Sequence, residues 1–491
     1  MPDEASLLAA LRRAPLSGAD ALIRAIGIGS QASFSRLVTR AGDRVVAVGR
    51  ARARRYAAAR DVHGLGFRLP LYRIDATGAM DRIATLRPYA PGGIFVDDPV
   101  RLPRWMKGAR GNGTFDGLPV FLLDPRPQGF LGRTFAGRHA AELRVPAHPD
   151  EWTDDDALVA LARAGEDVVG DLVVGEDAAN RVHARWAEDA EGIAPGERPR
   201  AFPELANQAI GGIVPGPSAG GEQPKFGAIV GEQGAPRHVL VKFSPAEYSA
   251  PARRWCDLLV CEHLAAECLR ANGVAGVESE IVEGGSRVFL QTTRFDRVGA
   301  RGRRAVVSLA AMNGEYVGTP PSTRKWSDAV ERLASDRWVD RATVSQVRLV
   351  ETFGRFIANT DMDFANLAFF PRDDGRLDLA PVYDMLPMGY SPVAGELPRR
   401  DYAVPLPEPG HGSVWFAAGA LASGYWQAVA RDERISQAFR AIASENAVAI
   451  ERANGVRGVR AVTIRCVRKN RRDGGVRIVT ALTPFPYARR A

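Results

Sequence analysis

"NTDMDFANLAFF", residues 359–370, sets two carboxylates, Asp361 and Asp363, and one carboxamide, Asn366, directly ahead of an apolar run that reads as a buried strand. Two readings compete for these residues. Short acids and amides cap turns, because their oxygens accept hydrogen bonds from nearby backbone N–H groups. Alternatively, an acid takes a proton while an amide helps to hold a divalent cation. The chain beyond favours the second reading, because a turn, "PRDDGR", and a further acid, Asp384 in "LAPVYDMLPM", follow the strand. An Asp, an Asn five positions later and another Asp past a strand and turn follow the logic of phosphoryl transfer. One Asp orients or accepts the hydroxyl proton; the Asn and the second Asp hold magnesium against the phosphates. Such a reaction needs positioning and charge neutralisation more than covalent chemistry.

Upstream lie three segments that suit the same chemistry. "PSAGGEQPKFGAIV" (217–230) is a Gly-rich turn between apolar runs. Paired glycines let backbone N–H groups approach phosphate oxygens closely, although an ordinary hairpin turn has the same composition. It lacks the Gly-Lys-Ser/Thr ending of a Walker A loop. "HVLVKFS" sets Lys242 in a strand-like apolar run, where it either reaches the surface with its ammonium or pairs with phosphate oxygens. The helical segment "CEHLAAECLRANG" carries Glu262, which either steadies that lysine as an ion pair or lies on a solvated helix face.

The 491-residue length implies about three structural units. A composition of 46% hydrophobic and 25% charged residues is that of a soluble globular protein. No apolar stretch is long enough to cross a bilayer. The opening "MPDEASLLAALRR" carries acids where a secretion signal carries basic residues, so a cytoplasmic location is expected. Four cysteines over this length make no disulfide framework, and Cys256, Cys261, Cys268 and His263 fit no standard zinc spacing. Charge is unevenly spread: +7 in residues 1–60, +10 in residues 452–491, and −9 in everything between. Any nucleic-acid footprint therefore belongs to the two ends.

Residues 1–60 read as a winged helix-turn-helix. "SLLAALRR" has helical apolar spacing, "SGADALIRAIGI" follows with Ser17 as the expected N-cap and Gly27 as the stop, and a second short helix spans Ser30 to Gly42. The second helix would offer Gln31, Ser33, Ser35, Arg36 and Arg40 to a DNA groove. "RVVAVGRARARRYAA" reads as a hairpin wing whose arginines suit phosphates. A small helical packing module is the alternative. Residues 63–145, including "LPVFLLDPRPQGF", read as strand-rich, "DDDALVALARAGED" as a helix, and 187–202 as a Pro/Gly linker.

Taken together, "SAGGEQPK", "HVLVKF", "TTRFDRVG", "NTDMDFAN" and "PVYDMLPM" resemble the HipA family, bacterial serine/threonine kinases of toxin–antitoxin systems. The extra N-terminal unit is most similar to that family's long YjjJ-like branch. The resemblance implies an α+β, two-lobed, protein-kinase-like body. A winged helix-turn-helix (1–60) and a strand-rich subdomain (61–190) would precede an N-lobe (200–304) and a helical C-lobe (305–451); the basic tail (452–491), expected to be disordered, departs from the family pattern. Carried over, Lys242 would contact the ATP phosphates, and Thr293, Arg294 and Phe295 would border the adenine. Gly220, Gly221, Gln223 and Lys225 would form the phosphate loop. Asp361 would be the catalytic base, and Asn366 and Asp384 would bind Mg2+. Ser218 matches the serine that family members phosphorylate on themselves.

The family commonly has His and then Gly where this chain has Asp363 and Ala365. Asp363 either replaces the histidine's hydrogen bonding or repels Asp361 and raises its pKa. The implied partners are ATP, a protein substrate such as an aminoacyl-tRNA synthetase or another translation factor, DNA, and an antitoxin or second copy. A DNA-binding regulator with a weak or inactive kinase body, and a small-molecule kinase resembling aminoglycoside phosphotransferases, are the alternatives. The basic tail either touches nucleic acid or adds nothing to the fold.

Overall fold

The computed structural model describes residues 3–97, 99–188, 192–211, 223–231, 235–320, 325–453 and 455. Ser218, Gly220, Gly221 and most of the basic tail lie outside the described residues.

The chain begins with helices Glu4–Arg13, Ala19–Ile26 and Gln31–Ala41 and three short strands, Ser17–Gly18, Val45–Val48 and Arg55–Ala58, the last in the centre of an antiparallel sheet. Asp3 caps the first helix through Ser6 N at 2.9 Å, and Ser30 caps the third through Ser33 N at 3.2 Å. Gly27 ends the second helix at φ +69°, a left-handed conformation that costs glycine little. Ser17 is not an N-cap: it pairs with Tyr56 as a strand residue, its hydroxyl donates to Ala14 O, and Gly18 takes the cap position. Leu7, Leu11, Leu22, Phe34, Leu37 and Tyr56 form a separate small core, with the Phe34 and Tyr56 rings edge-to-face at 5.3 Å.

A five-stranded antiparallel sheet follows, in the order Thr114–Phe115, Gly93–Val96, Met80–Tyr89, Leu69–Ile74, Leu172–Val174. Helices Gly129–Leu143, Asp154–Ala164 and Gly175–Ala187 accompany it. The capping box between Thr153 and Asp156 opens the middle one. The strand-rich expectation fails beyond Phe115: Val120–Leu122 is a 3-10 turn, and "GFLGRTFAGRHAAEL" is helical. Its glycines signal breaks, yet Gly132 sits where a Cβ would meet Pro127 C at 2.8 Å, so close packing accounts for it.

The expected linker at 187–202 is also shorter than its composition suggests. Ile193 already pairs with Val230, and helix Arg198–Gly211 begins inside the Pro-rich stretch, burying Phe202 completely. Pro199 suits the first turn of this helix, where backbone N–H groups have no intrahelical acceptor, whereas Pro203 lies inside the helix and removes one backbone donor.

The remaining body is α+β and two-lobed. Its smaller lobe is an antiparallel sheet in the order Ser279–Gly284, Arg287–Thr293, Arg237–Phe243, Lys225–Val230, backed by the long helix Ala250–Ala271. The larger lobe packs helices Trp326–Ser335, Arg341–Phe356, Gly412–Arg431 and Gln437–Ala453 around Trp326, Phe353, Phe356, Tyr425, Trp426 and Phe439. A small sheet, Val307–Ser308 with Ala368–Pro371 and Leu377–Leu379, lies in this part of the chain and carries the "LAFF" run. No helix among the described residues is long and apolar enough to cross a membrane.

Candidate active site

Strand alternation decides where the lysine points. Val239, Val241 and Phe243 are buried in the core of the smaller lobe. Lys242 lies on the opposite face, directly across from Lys225 on the neighbouring strand. Two like charges set opposite each other repel unless anions intervene. Glu262 supplies one, since both of its carboxylate oxygens lie 2.8 Å from Lys242 Nζ. Asp384 supplies the other, in direct contact with the same ammonium. The Lys242 and Glu262 side chains are only 7% and 4% exposed, so this is a buried pair with a second acid at its solvent edge. Burial opposes the Lys242 charge, but Asp384 and Glu262 outweigh it and raise its pKa above the usual lysine value. Burial likewise raises Asp384, and Lys242 and Lys225 more than reverse this, leaving it below the usual carboxylate range. Burial pushes the Glu262 carboxyl up despite the ammonium beside it.

Helix Arg341–Phe356 delivers the loop that follows. Asn359, buried at its end, accepts a hydrogen bond from Asp361 N at 3.0 Å through Oδ1. Its Nδ2 donates to the backbone carbonyl of Asp384 at 3.4 Å. One amide therefore ties the Asp361 loop to the Asp384 loop. A second tie is Tyr383, whose hydroxyl donates to Ala365 O at 2.5 Å. Asn366 closes the loop by donating Nδ2 to Asp361 O at 2.9 Å. Asp384 holds φ at +56°, a strained conformation for a non-glycine residue and one that Asp tolerates better than most.

Asp363 is a cap: its Oδ1 accepts from Ala365 N at 2.9 Å, opening the 3-10 turn Phe364–Asn366, and its backbone carbonyl accepts from Trp326 Nε1 at 2.9 Å. Removing the cap in Asp363→Ala should cost about 1 kcal/mol, read from denaturant midpoints. Loop function, measured as magnesium-dependent nucleotide turnover, should stay within a few fold of wild type. A loss as large as that of an Asp361 variant would show that the carboxylate does more than cap.

Other candidate residues fall into place unevenly. Gln223 Nε2 reaches Phe243 O at 3.5 Å, beside the Lys242 strand. Thr293 ends the central strand opposite Val239, and Phe295 packs its ring 5.7 Å from Tyr383 and 5.8 Å from Phe370. The Arg294 side chain is a correction to the expected adenine border. It donates to Asp296 at 2.9 and 3.1 Å and to Asp167 at 3.1 Å, so its guanidinium belongs to an ion cluster with Arg297. Its backbone is engaged as well, the N–H donating to His238 O at 2.9 Å and the carbonyl accepting from Arg297 N at 3.2 Å.

Gln31, Arg36 and Arg40 are exposed on the third helix, and the Ser33 hydroxyl is held between Ser30 Oγ and Arg36 Nη2. Ser33 thus belongs to the helix cap. Sequence reading overlooked Asn359 and Tyr383, which only a fold can connect to residues some twenty positions away.

Asp384 and Asn366 bring hard oxygen donors to linked loops, and Lys225 and Lys242 add positive charge on the adjoining sheet face. A carboxylate and an amide oxygen suit magnesium, and ammonium groups suit phosphate.

Residues 65–183 match the YjjJ-like toxin middle domain, and residues 217–452 match the HipA-like C-terminal domain. The chain is 40% identical to Toxin YjjJ of Escherichia coli (strain K12) over 421 residues, covering 85% of this chain and 91% of that protein. Among solved structures, HipA of Shewanella oneidensis MR-1, in complex with HipB and operator DNA, aligns at 16% identity and TM-score 0.47, over 78% of this chain and 97% of that one. The Helicobacter pylori proinflammatory kinase CtkA aligns at 10% identity and TM-score 0.34, over 48% of this chain and 92% of that one. The chain belongs to the HipA-like toxin family, in its YjjJ-like branch.

Proposed function

We propose that this protein is an ATP- and magnesium-dependent protein serine/threonine kinase whose N-terminal winged helix-turn-helix binds DNA. The observation that carries the reading is the convergence on Lys242 of Glu262 and Asp384, with the Asp384 loop tied through Asn359 to Asp361. A kinase needs this lysine–glutamate pair to fix the phosphates, and an acid beside it to receive the metal.

In this reading Lys242 and Lys225 neutralise the phosphates, and Asn366 and Asp384 hold Mg2+. The metal supplies charge neutralisation on the transferred phosphoryl group. Asp361 orients the attacking hydroxyl and accepts its proton. Ser218, outside the described residues, is the proposed site of autophosphorylation. A protein partner acting in translation, such as an aminoacyl-tRNA synthetase, fits as the substrate class, and an antitoxin or second copy as a regulator. The test is incubation with γ-labelled ATP and magnesium, followed by phosphoamino-acid analysis. Label on serine, abolished by EDTA, is expected. Absence of label, with intact DNA binding, favours a regulator with an inactive kinase body.

The DNA reading rests on the basic first unit, its three helices and its hairpin. Arg50, Arg52, Arg54 and Arg55 are all exposed on that hairpin. Arg36→Ala should weaken binding to the cognate duplex roughly tenfold, whereas neutralising wing arginines should lower the salt slope by about one for each arginine–phosphate pair removed. An unchanged salt-dependent affinity after deletion of residues 1–60 rules the assignment out.

A further inference from the structure

The segment preceding the kinase-like body reaches into the larger lobe at one carboxylate. Asp124 follows the buried 3-10 turn Val120–Leu122, which anchors it in the main core. Its Oδ2 accepts from Ser308 N at 2.7 Å and its Oδ1 from Ser308 Oγ at 2.5 Å. The same serine oxygen accepts from Ala311 N at 3.0 Å, so Ser308 is fixed from both sides. Ser308 in turn pairs with Ala368, and Val307 with Phe369, while Leu309 N donates to Leu367 O at 2.7 Å. Leu367 and Ala368 are the residues immediately after Asn366. Tyr383 holds the same loop at Ala365, its hydroxyl donating to the carbonyl at 2.5 Å.

We propose that Asp124 is a positioning residue for the Asp361–Asn366 loop, holding its outgoing strand in register through Ser308. Its catalytic consequence rests on the kinase reading above; its effect on the loop does not. A carboxylate accepting both a backbone N–H and a hydroxyl makes two charge-assisted bonds, and alanine would leave a buried N–H without an acceptor. Partners that orient metal-holding side chains from behind typically change metal affinity by roughly tenfold or more when removed. Asparagine can still accept from Ser308 N and donate to its hydroxyl, so it should recover most of the function.

Full-length wild type, Asp124→Ala and Asp124→Asn are compared by amide hydrogen exchange and by magnesium titration of phosphate transfer. In Asp124→Ala, amides of 361–370 should exchange about tenfold faster, with those of Gln437–Ala453 unchanged. The magnesium half-saturation should rise at least fivefold, and nucleotide affinity measured without magnesium should stay within twofold. Asp124→Asn should reverse most of both changes. Unchanged exchange at 361–370, or equal acceleration at Gln437–Ala453, overturns the proposal. Faster local exchange with an unchanged magnesium titration overturns its catalytic part. If wild type transfers no phosphate yet the exchange difference appears, loop positioning stands and the kinase reading falls.

Discussion

Asp361→Asn should reduce magnesium-dependent phosphate transfer by about a thousandfold, the scale at which a positioned general base contributes. The fold should be unaffected. Hydrogen bonds that fix this loop run through the backbone of Asp361: its N–H to Asn359 Oδ1, and its carbonyl from Asn366 Nδ2. Exchanging one carboxylate oxygen for an amide nitrogen leaves both intact. Nucleotide affinity should therefore change by less than about threefold, and Tm by no more than about 2 °C. Loss of activity accompanied by unfolding would mean that the side chain is structural. Full activity would remove Asp361 from the reaction altogether.

Lys242→Met should have the second large effect, and on stability as well as binding. Deleting one member of a buried ion pair leaves the other charge without compensation, at a cost of about 3 kcal/mol. Here two acids lose their cation, and Glu262 is the more deeply enclosed. In the variant the folded-state pKa of Glu262 should rise further above its unfolded value. The native state then retains a proton that the unfolded chain has lost, so stability falls as pH climbs through the interval between the two. In wild type the lysine contribution has this same sign but lies at much higher pH, and only that of Asp384 is opposite. The Lys242 pKa is raised, so that contribution is fully present below the unfolded lysine value of about 10.4 and is lost only at still higher pH. Asp384, depressed, contributes above about pH 3.9 and loses that contribution as pH falls. Thermal melts at pH 5.5 and 8 should show the gap between variant and wild type widening at pH 8. A gap independent of pH would indicate that Glu262 is solvated once the lysine is gone. Nucleotide binding should fall at least a hundredfold at either pH.

Much of this arrangement is legible from residue types and order. Lys242 in an apolar strand and Glu262 on the following helix read as a candidate ion pair, and they meet at 2.8 Å. The short helices and hairpin at the start follow from capping residues and apolar spacing that lie within a few positions of each other. What escapes has a common cause. Gly129, Gly132 and Pro199 read as breaks because local chemistry makes them so, whereas packing and first-turn positions absorb them, and the helix continues through Pro203 as well. Asp363 and Asp361 look alike in sequence; in the fold the Asp363 carboxylate accepts from Ala365 N, whereas Asp361 gives its own N–H to Asn359 Oδ1. Asn359, Tyr383 and Asp124 act across contacts between distant segments, for which periodicity has no signal. Arg294 misleads for the converse reason: its neighbours in the chain suggest a nucleotide, and its neighbours in space are Asp167 and Asp296.

In the proposed kinase, Lys242, Asp384, Asn366 and Asp361 together receive the phosphates of ATP. The most direct measurement is a crystal structure of the full chain with magnesium and a non-hydrolysable ATP analogue. The terminal phosphate should lie between Lys242 and the Asp361 loop, with the metal on Asp384 and Asn366. Nucleotide bound elsewhere, or a cleft in which Lys242 keeps both carboxylates while the analogue is absent at saturating concentration, would contradict this placement.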